Sequence, residues 1–210
     1  MRKKTETEQP KDQSGEEKKL DVKAEIWSWV RWLACTAVVV VILTQVIFIN
    51  ARIPSGSMEN TIMTKSRVIG FRFSYWFDEP ERGDIIIFKY PVDEKQNYIK
   101  RIIGLPGETV EIRNGNVYID GSETPLAEDY LKEEWIWKND GYTFEVPEGC
   151  YFVMGDNRNR SEDARFWAEI ALREGVAETE EEAQQYSFVR KDQIEGKAIF
   201  CYFPSIYMLK

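Results

Sequence analysis

The chain has 210 residues, an apolar fraction of 43% and a formal net charge of −8. This length suffices for one domain with its own core, the composition excludes a disordered chain, and the acidic balance disfavours a nucleic-acid partner. The sequence contains no histidine, which excludes Ser-His-Asp and Cys-His catalysis, HExxH metalloprotease sites and most zinc sites. Acid–base chemistry near neutral pH must therefore come from another side chain with a shifted pKa.

The N-terminal region divides into a charged stretch and an apolar stretch. Residues 1–25 are dense in Lys, Glu, Asp and Gln, which predicts a disordered, solvated tail. Residues 33–49 carry no formal charge, and with the tryptophans before them they reach the length that crosses a hydrocarbon core of roughly 30 Å. We therefore predict a transmembrane anchor at residues 26–50. A buried core helix would be more broken by polar residues, and a cleavable signal peptide would be shorter and carry an A-x-A site.

Basic residues beside the apolar stretch indicate its orientation. They are Lys18, Lys19, Lys23 and Arg31 before it, and Arg52, Lys65 and Arg67 after it. The modest excess on the N-terminal side favours a cytoplasmic N-terminus. The protein would then be a single-pass protein of the cell membrane, with residues 51–210 forming an extracytoplasmic domain.

Residues 51–210 predict mainly β structure. Short apolar runs end at Gly and Pro, and Asn114-Gly115 between residues 109–113 and 116–119 is a strong hairpin signal. Many short strands with such punctuation are typical of a β-sandwich or a partly closed β-barrel.

Two segments of this domain differ from the β pattern. Residues 166–187 have a helical pattern in which Thr179 and Glu182 have the spacing of a capping box, so we predict a helical insertion there. Residues 128–139 are charged, carry two tryptophans and fit either a helix or an irregular loop.

Cysteines and one aromatic stretch leave alternatives open. Cys35, Cys150 and Cys201 form no CxxC pair, so a metal or redox motif is not indicated. Cys150 and Cys201 would either pair in an oxidising compartment or remain buried thiols. Residues 71–77 would either lie on the membrane surface or form a core strand with a flanking turn.

Three segments carry polar groups suited to chemistry, although each has an ordinary structural interpretation. Residues 54–58 would expose Ser57 on a tight turn, or would simply be a polar linker. In residues 98–104, period two puts Lys100 between apolar neighbours. Burial lowers a lysine pKa by up to ~3–5 units from about 10.4, whereas an ordinary strand lysine reaches water. Residues 155–165 hold six formal charges, which suit either local ion pairs or a solvated turn.

Taken in order, these segments resemble the type I signal peptidases, in the form with one N-terminal anchor. The matching motifs are Ser57-Met58, Arg82-Gly83-Asp84, Tyr98-Ile99-Lys100-Arg101 with Gly104-Leu105-Pro106-Gly107-Glu108, and Gly155-Asp156-Asn157-Arg158 with Ser161, Asp163 and Arg165. The resemblance runs from about residue 32 to residue 203. Departures are Asn159-Arg160, where the family usually has Asp-Asn, Ala164 in place of a usual serine, and the helical insertion.

The resemblance implies a membrane-bound serine endopeptidase that removes signal peptides from exported preproteins after small residues, at Ala-x-Ala sites, without a cofactor or metal. It implies Ser57 as the nucleophile and Lys100 as the general base. Ser161 would orient the Lys100 amine, and Ser55 would join the Ser57 N–H in an oxyanion hole. The scaffolding ion pairs would be Asp156 with Arg101 and Asp163 with Arg165. Partners would be signal peptides, the lipid bilayer and a nearby secretion translocon.

Other classes of protein fit the sequence less well. Self-cleaving repressors also use Ser and Lys, but they carry a DNA-binding domain, for which 25 residues are too few. The Ser-x-x-Lys motif of penicillin-binding proteins does not occur, and sortases need a histidine. A membrane-anchored β-rich binding protein is the non-enzymatic alternative, and it predicts that Ser57→Ala is silent.

Overall fold

The computed structural model describes residues 22–136 and 140–209. Most of the predicted tail, residues 1–21, lies outside the described residues, as do residues 137–139 of the segment predicted as helix or loop. The chain divides into two compact units, with the boundary between Val40 and Val41.

An apolar helix forms the N-terminal part of the chain. Helix α1 spans Val22–Val41 and is followed by a π-helical turn at Ile42–Ile47. Together they form a run of 26 residues, with no buried side chain in its apolar part. Its length and composition suffice to cross a bilayer. The predicted anchor at residues 26–50 overlaps this run from residue 26 to residue 47.

The domain that follows contains two antiparallel sheets. The larger has the order β1-β2-β10-β3-β4-β8-β9, with β11 paired to β10, and the smaller has the order β6-β5-β7. The strands of the larger sheet are β1 Phe48–Arg52, β2 Arg67–Phe71, β3 Ile85–Tyr90, β4 Asp93–Gly104, β8 Cys150–Met154, β9 Val189–Arg190, β10 Ile194–Phe203 and β11 Tyr207–Met208. Those of the smaller sheet are β5 Thr109–Arg113, β6 Asn116–Ile119 and β7 Tyr142–Glu145. The mainly β fold class is confirmed, and in the described residues β1 and β9 are outer strands, so no closed barrel forms.

The predicted hairpin and the predicted helices are both present. Asn114 and Gly115 join β5 to β6 with positive φ angles of 52° and 74°, as a type I′ turn requires. Helix α2 spans Ala164–Arg173 and α3 spans Glu180–Gln184. Thr179 caps α3 by accepting the Glu182 N–H at 3.1 Å, but the Glu182 carboxylate accepts from the N–H of Glu178, so the capping box is offset by one residue.

Two apolar clusters cover the two faces of the larger sheet at β3. Ile86 and Phe88 belong to one cluster, and Ile85 and Ile87 belong to the other. Strand β3 is therefore buried on both sides, and β4 beside it carries its polar side chains into a largely apolar interior. The insertion helix α2 closes the first cluster with Trp167, whose ring centroid lies 5.9 Å from that of Phe88.

The cysteines and the aromatic stretch, for which the sequence left alternatives open, have defined positions in the structure. The three cysteines are free thiols. Residues 71–77 begin at the end of β2 and continue as a 3-10 turn at Arg72–Tyr75, after which Trp76 and Phe77 are 69% and 92% exposed. Residues 128–136 form neither helix nor strand.

Candidate active site

The predicted nucleophile and base lie in contact. Ser57 belongs to the turn that follows β1, and Lys100 lies in β4 opposite Ile86 of β3. The Lys100 Nζ donates to Ser57 Oγ at 2.9 Å and to the Ile99 carbonyl at 3.2 Å. Both residues are buried, with exposed fractions of 5% for Ser57 and 4% for Lys100. This is the arrangement of a serine hydroxyl and an amine that can take its proton.

The environment of Lys100 favours its neutral form. Burial lowers the pKa of Lys100 from 10.5 to about 8, although the carboxylates of Asp163 and Glu162 act in the opposite direction. Removal from water disfavours the ammonium because its charge loses hydration. At pH 7, roughly a tenth of the Lys100 side chains are then neutral and able to act as a base.

Gly155, directly after β8, allows the site to close behind Ser57. A Cβ atom at this position would lie 2.3 Å from Ser161 Oγ and 2.5 Å from the Ser57 carbonyl oxygen, distances that no methyl group tolerates. The Gly155 N–H donates to Asp163 Oδ2 at 3.0 Å. The absence of a side chain at Gly155 thus sets how closely residues 57 and 161 approach each other.

Ser161 lies in this group without the predicted bond to Lys100. It is 6% exposed, and the two hydrogen bonds of Lys100 go to Ser57 and Ile99. The Ser161 hydroxyl lies near the Asp163 carboxylate, but within the described residues its oxygen has no hydrogen-bond partner of ordinary geometry. Ser161 therefore borders the dyad through Gly155, and its hydroxyl lies beside the Asp163 carboxylate.

An open cleft leads to the dyad. It has a volume of about 570 Å³, and its lining includes Ser55, Ser57 and Lys100. Ser55 is exposed. The Ser57 N–H has no acceptor in the described part of the chain, so it remains available to a developing oxyanion in the cleft.

Two strand edges form the long walls of the cleft. One wall is β1 with the turn after it, residues 49–55, and the other is residues 96–100 of β4. Strand β1 is an outer strand, and β4 pairs with β8 only from Arg101 onward, so both edges have free backbone groups along the cleft. Ile87 adds to the apolar floor. Such walls suit an extended peptide with small apolar side chains.

Two buried ion pairs hold the loop that packs behind the dyad. Arg101 contacts Asp156 through two hydrogen bonds of 2.9 and 2.7 Å, and Arg165 contacts Asp163 through bonds of 2.7 and 3.0 Å. All four side chains are at most 2% exposed. Asp163 also caps α2 through the Arg165 N–H. The structure thus brings together the residues that the sequence analysis named as scaffolding pairs.

A segment that the sequence analysis left unassigned encloses this loop. Residues 126–136, here called the strap, contribute Glu128, which forms a salt bridge with Arg158. The side chain of Glu128 is 5% exposed and that of Arg158 is 1% exposed. Trp135 faces two arginines, with its ring 4.8 Å from Arg158 and 5.2 Å from Arg165. The only signal in the sequence is the density of charges and tryptophans, which does not reveal which arginines they face.

We expect Glu128→Gln to destabilise the protein by about 3–5 kcal/mol, because it leaves the buried Arg158 guanidinium without its counter-charge. Denaturant unfolding of the full chain in detergent, followed by tryptophan fluorescence, measures this loss. Glu123→Gln is the matched control, since Glu123 is exposed in the same region and should change stability by less than about 0.5 kcal/mol. Equal stability of the two variants would contradict the structural role given to Glu128.

Comparison with known proteins gives a consistent picture. The sequence matches the family described as "Signal peptidase, peptidase S26" over residues 26–203. The probable signal peptidase I-1 of Synechocystis sp. is 38% identical over 160 residues, which are 73% of this chain and 70% of that protein. The signal peptidase I of Bacillus licheniformis is 34% identical over 196 residues, which are 90% of this chain and 95% of that protein.

Among solved structures, a crystal structure of a signal peptidase I from Enterococcus faecalis V583 is similar. It is 36% identical in sequence, with a TM-score of 0.41, over 57% of this chain and 97% of that chain.

Proposed function

Because the chain belongs to the signal peptidase family, peptidase S26, we propose that Ser57 and Lys100 carry out its peptide-bond hydrolysis. The protein is a serine endopeptidase with signal peptidase I function, and its substrates are preproteins that carry signal peptides. The contact of 2.9 Å between Lys100 Nζ and Ser57 Oγ, buried at the end of an open cleft, carries the assignment of residues.

The proposed reaction proceeds through an acyl-enzyme. Neutral Lys100 accepts the Ser57 proton as Oγ attacks the carbonyl carbon of the residue before the cleavage site. The Ser57 N–H and the Ser55 hydroxyl donate to the oxyanion, and Lys100 then protonates the leaving amine as the C–N bond breaks. Water attacks the ester with Lys100 as base, and Ser57 recovers its proton.

The substrate would bind as an extended chain between the two cleft walls. Its backbone would bond to the free edges of β1 and β4, which supply affinity without regard to side chains. Ile49 and Ile87 line the cleft, and we propose that they form shallow apolar positions for small residues, as Ala-x-Ala sites require.

Attachment to the same membrane would bring the substrate and the enzyme together. The N-terminal apolar helix fits a membrane-anchored protein. We propose further that its N-terminus is cytoplasmic, that residues 51–210 lie outside the cell membrane, and that the exposed Trp76 and Phe77 touch the bilayer surface. Signal peptides leaving the secretion translocon would then reach the cleft by lateral movement.

The rate of cleavage should follow the protonation of Lys100. Since the base must be neutral, kcat/KM should rise about tenfold per pH unit below the pKa of about 8 and level off above it. An unshifted lysine would instead give a rate that still rises near pH 10. Initial rates on a peptide substrate between pH 6 and pH 10, with enzyme stability checked at each pH, distinguish the two curves.

Cleavage of a preprotein by the purified full chain in detergent tests the function itself. We expect one cut after the Ala-x-Ala site, identified by mass spectrometry of both products. The matched control is the same preprotein with phenylalanine in place of the last alanine, which should remain intact because the proposed specificity is for small residues before the cleavage site. Cleavage of both substrates at equal rates would contradict the proposed specificity, and no cleavage of either would favour the binding-protein alternative.

A further inference from the structure

Asn157 is a buried residue that the proposed reaction leaves without a role. It is fully buried in the loop after β8. Its side-chain Nδ2 donates to the Gly56 carbonyl at 3.0 Å, and its backbone N–H donates to the Ser57 carbonyl at 2.9 Å. One residue therefore holds two successive carbonyl groups of the turn that carries the nucleophile.

The hydrogen bond from Asn157 to the Gly56 carbonyl also fixes the direction of the Ser57 N–H, because the peptide unit is planar. The Gly56 carbonyl and the Ser57 N–H belong to one peptide unit, and in a trans unit these two groups point in opposite directions. When Asn157 fixes the Gly56 carbonyl toward the protein interior, the Ser57 N–H must point the other way. Ser57 lines the cleft, and its N–H has no acceptor among the described residues.

We propose that Asn157 is a positioning residue that directs the Ser57 N–H into the oxyanion hole. This inference rests on the proposed function and adds the group that orients its main-chain donor. Oxyanion donors act by being oriented before the reaction begins, so a donor free to rotate away stabilises the transition state less.

The Gly56 carbonyl also accepts a hydrogen bond from within its own turn, but among the described residues only the bond from Asn157 connects this carbonyl to another segment. The Glu59 N–H also donates to the Gly56 carbonyl, at 3.2 Å, but both of these groups belong to the turn itself. Asn157 ties it to the loop after β8 instead. That loop is held by the buried Arg101–Asp156 pair, so the peptide unit of Ser57 is fixed against the domain core.

The test compares Asn157→Ala with wild type in kcat, KM and the binding of two peptides. Asn157→Ala keeps the backbone bond and removes the side-chain donor together with the amide oxygen, which has no hydrogen-bond partner among the described residues. We expect kcat to fall about 10- to 100-fold, less than the loss of an entire oxyanion donor, with KM changed less than about twofold. A peptide aldehyde should lose affinity by the same factor as kcat/KM. Ser57 Oγ adds to the aldehyde carbon, the Ser57 proton passes to Lys100, and the aldehyde oxygen becomes an oxyanion that needs the same donors as the transition state. A peptide substrate measured in the Ser57→Ala background, where it cannot be cleaved, should keep its affinity when Asn157→Ala is added.

Two further readouts separate positioning from general damage. The midpoint of the pH–rate curve should stay at the wild-type value, since Asn157 makes no bond to Lys100. Asn159→Ala is the matched control, because the Asn159 amide donates to the strap carbonyl of Glu134 and should leave kcat within about twofold of wild type. If Asn157→Ala does not fold, Asn157→Asp, which keeps the shape and removes the donor, is measured in the same way.

The proposal is overturned if kcat and aldehyde affinity of the Asn157 variant remain near wild type, if the loss falls on KM, or if Asn159→Ala loses as much. Wild type and Ser57→Ala are assayed beside these variants. When wild type cleaves and Ser57→Ala does not, the proposed function holds whatever the Asn157 result. Failure of the Asn157 proposal is therefore distinguishable from failure of the proposed function.

Discussion

Lys100→Met and Ser57→Ala should each lower kcat/KM by about 10³-fold or more, while substrate binding remains close to wild type. The dyad acts as one unit, since the hydroxyl is not nucleophilic without its base and the base has no proton to accept without the hydroxyl. The double variant should therefore be about as slow as either single variant. Single-turnover rates on a peptide substrate measure the loss of catalysis, and equilibrium binding of an uncleaved peptide measures whether substrate binding is kept.

Matched controls for the dyad come from residues of the same type elsewhere in the domain. Lys89→Met removes a lysine of β3 that is 44% exposed and lies 3.8 Å from Glu195, and Ser74→Ala removes a serine from the 3-10 turn after β2. Both should cleave at close to the wild-type rate. Activity of Ser57→Ala comparable to these controls would refute the assignment of the nucleophile.

Gly155→Ala should reduce kcat at least 100-fold, the largest effect we expect of a single substitution outside the dyad. The added methyl group would overlap both Ser161 and the Ser57 carbonyl, so the nucleophile must move relative to Lys100. A displacement of about 1 Å at a reacting group is sufficient for a loss of this size. Steady-state kinetics measure it, and the pH–rate curve should shift as well because the surroundings of Lys100 change.

Gly175→Ala separates this effect from a loss of stability. Gly175 has a φ of +70° and no atom within 4 Å of an added Cβ. This substitution should destabilise the fold by about 1 kcal/mol without changing kcat. If Gly155→Ala lowers thermal stability by a similar amount but keeps wild-type kcat, close packing at Gly155 has no part in arranging the dyad.

The sequence predicted the features that depend on local pattern or on residue identity. The Asn114-Gly115 hairpin follows from two residues that accept positive φ, and the helical insertion predicted at residues 166–187 follows from its helical pattern and the spacing of a capping box. The position of Lys100 between apolar neighbours follows from the period of a strand. The absence of histidine by itself restricts the chemistry to a small number of side chains.

What the sequence did not predict depends on contacts between distant segments. Nothing local in residues 126–136 indicates that Glu128 faces Arg158, because either residue would be equally acceptable in water. The hydrogen bonds of Asn157 to Gly56 and Ser57 join segments about a hundred residues apart in the sequence. The close approach of Ser161 to Gly155 is also a contact of the folded chain, which a pattern of residue types does not specify.

The cleft between β1 and β4 also sets the moment at which a substrate is processed. A chain can occupy it only while several consecutive residues are extended and have no hydrogen-bond partners of their own. A preprotein whose first mature residues have already been incorporated into a folded domain does not meet this condition. On the proposed binding mode, cleavage would therefore be confined to the time before the residues beside the cleavage site fold, and the rate of that folding would compete with maturation.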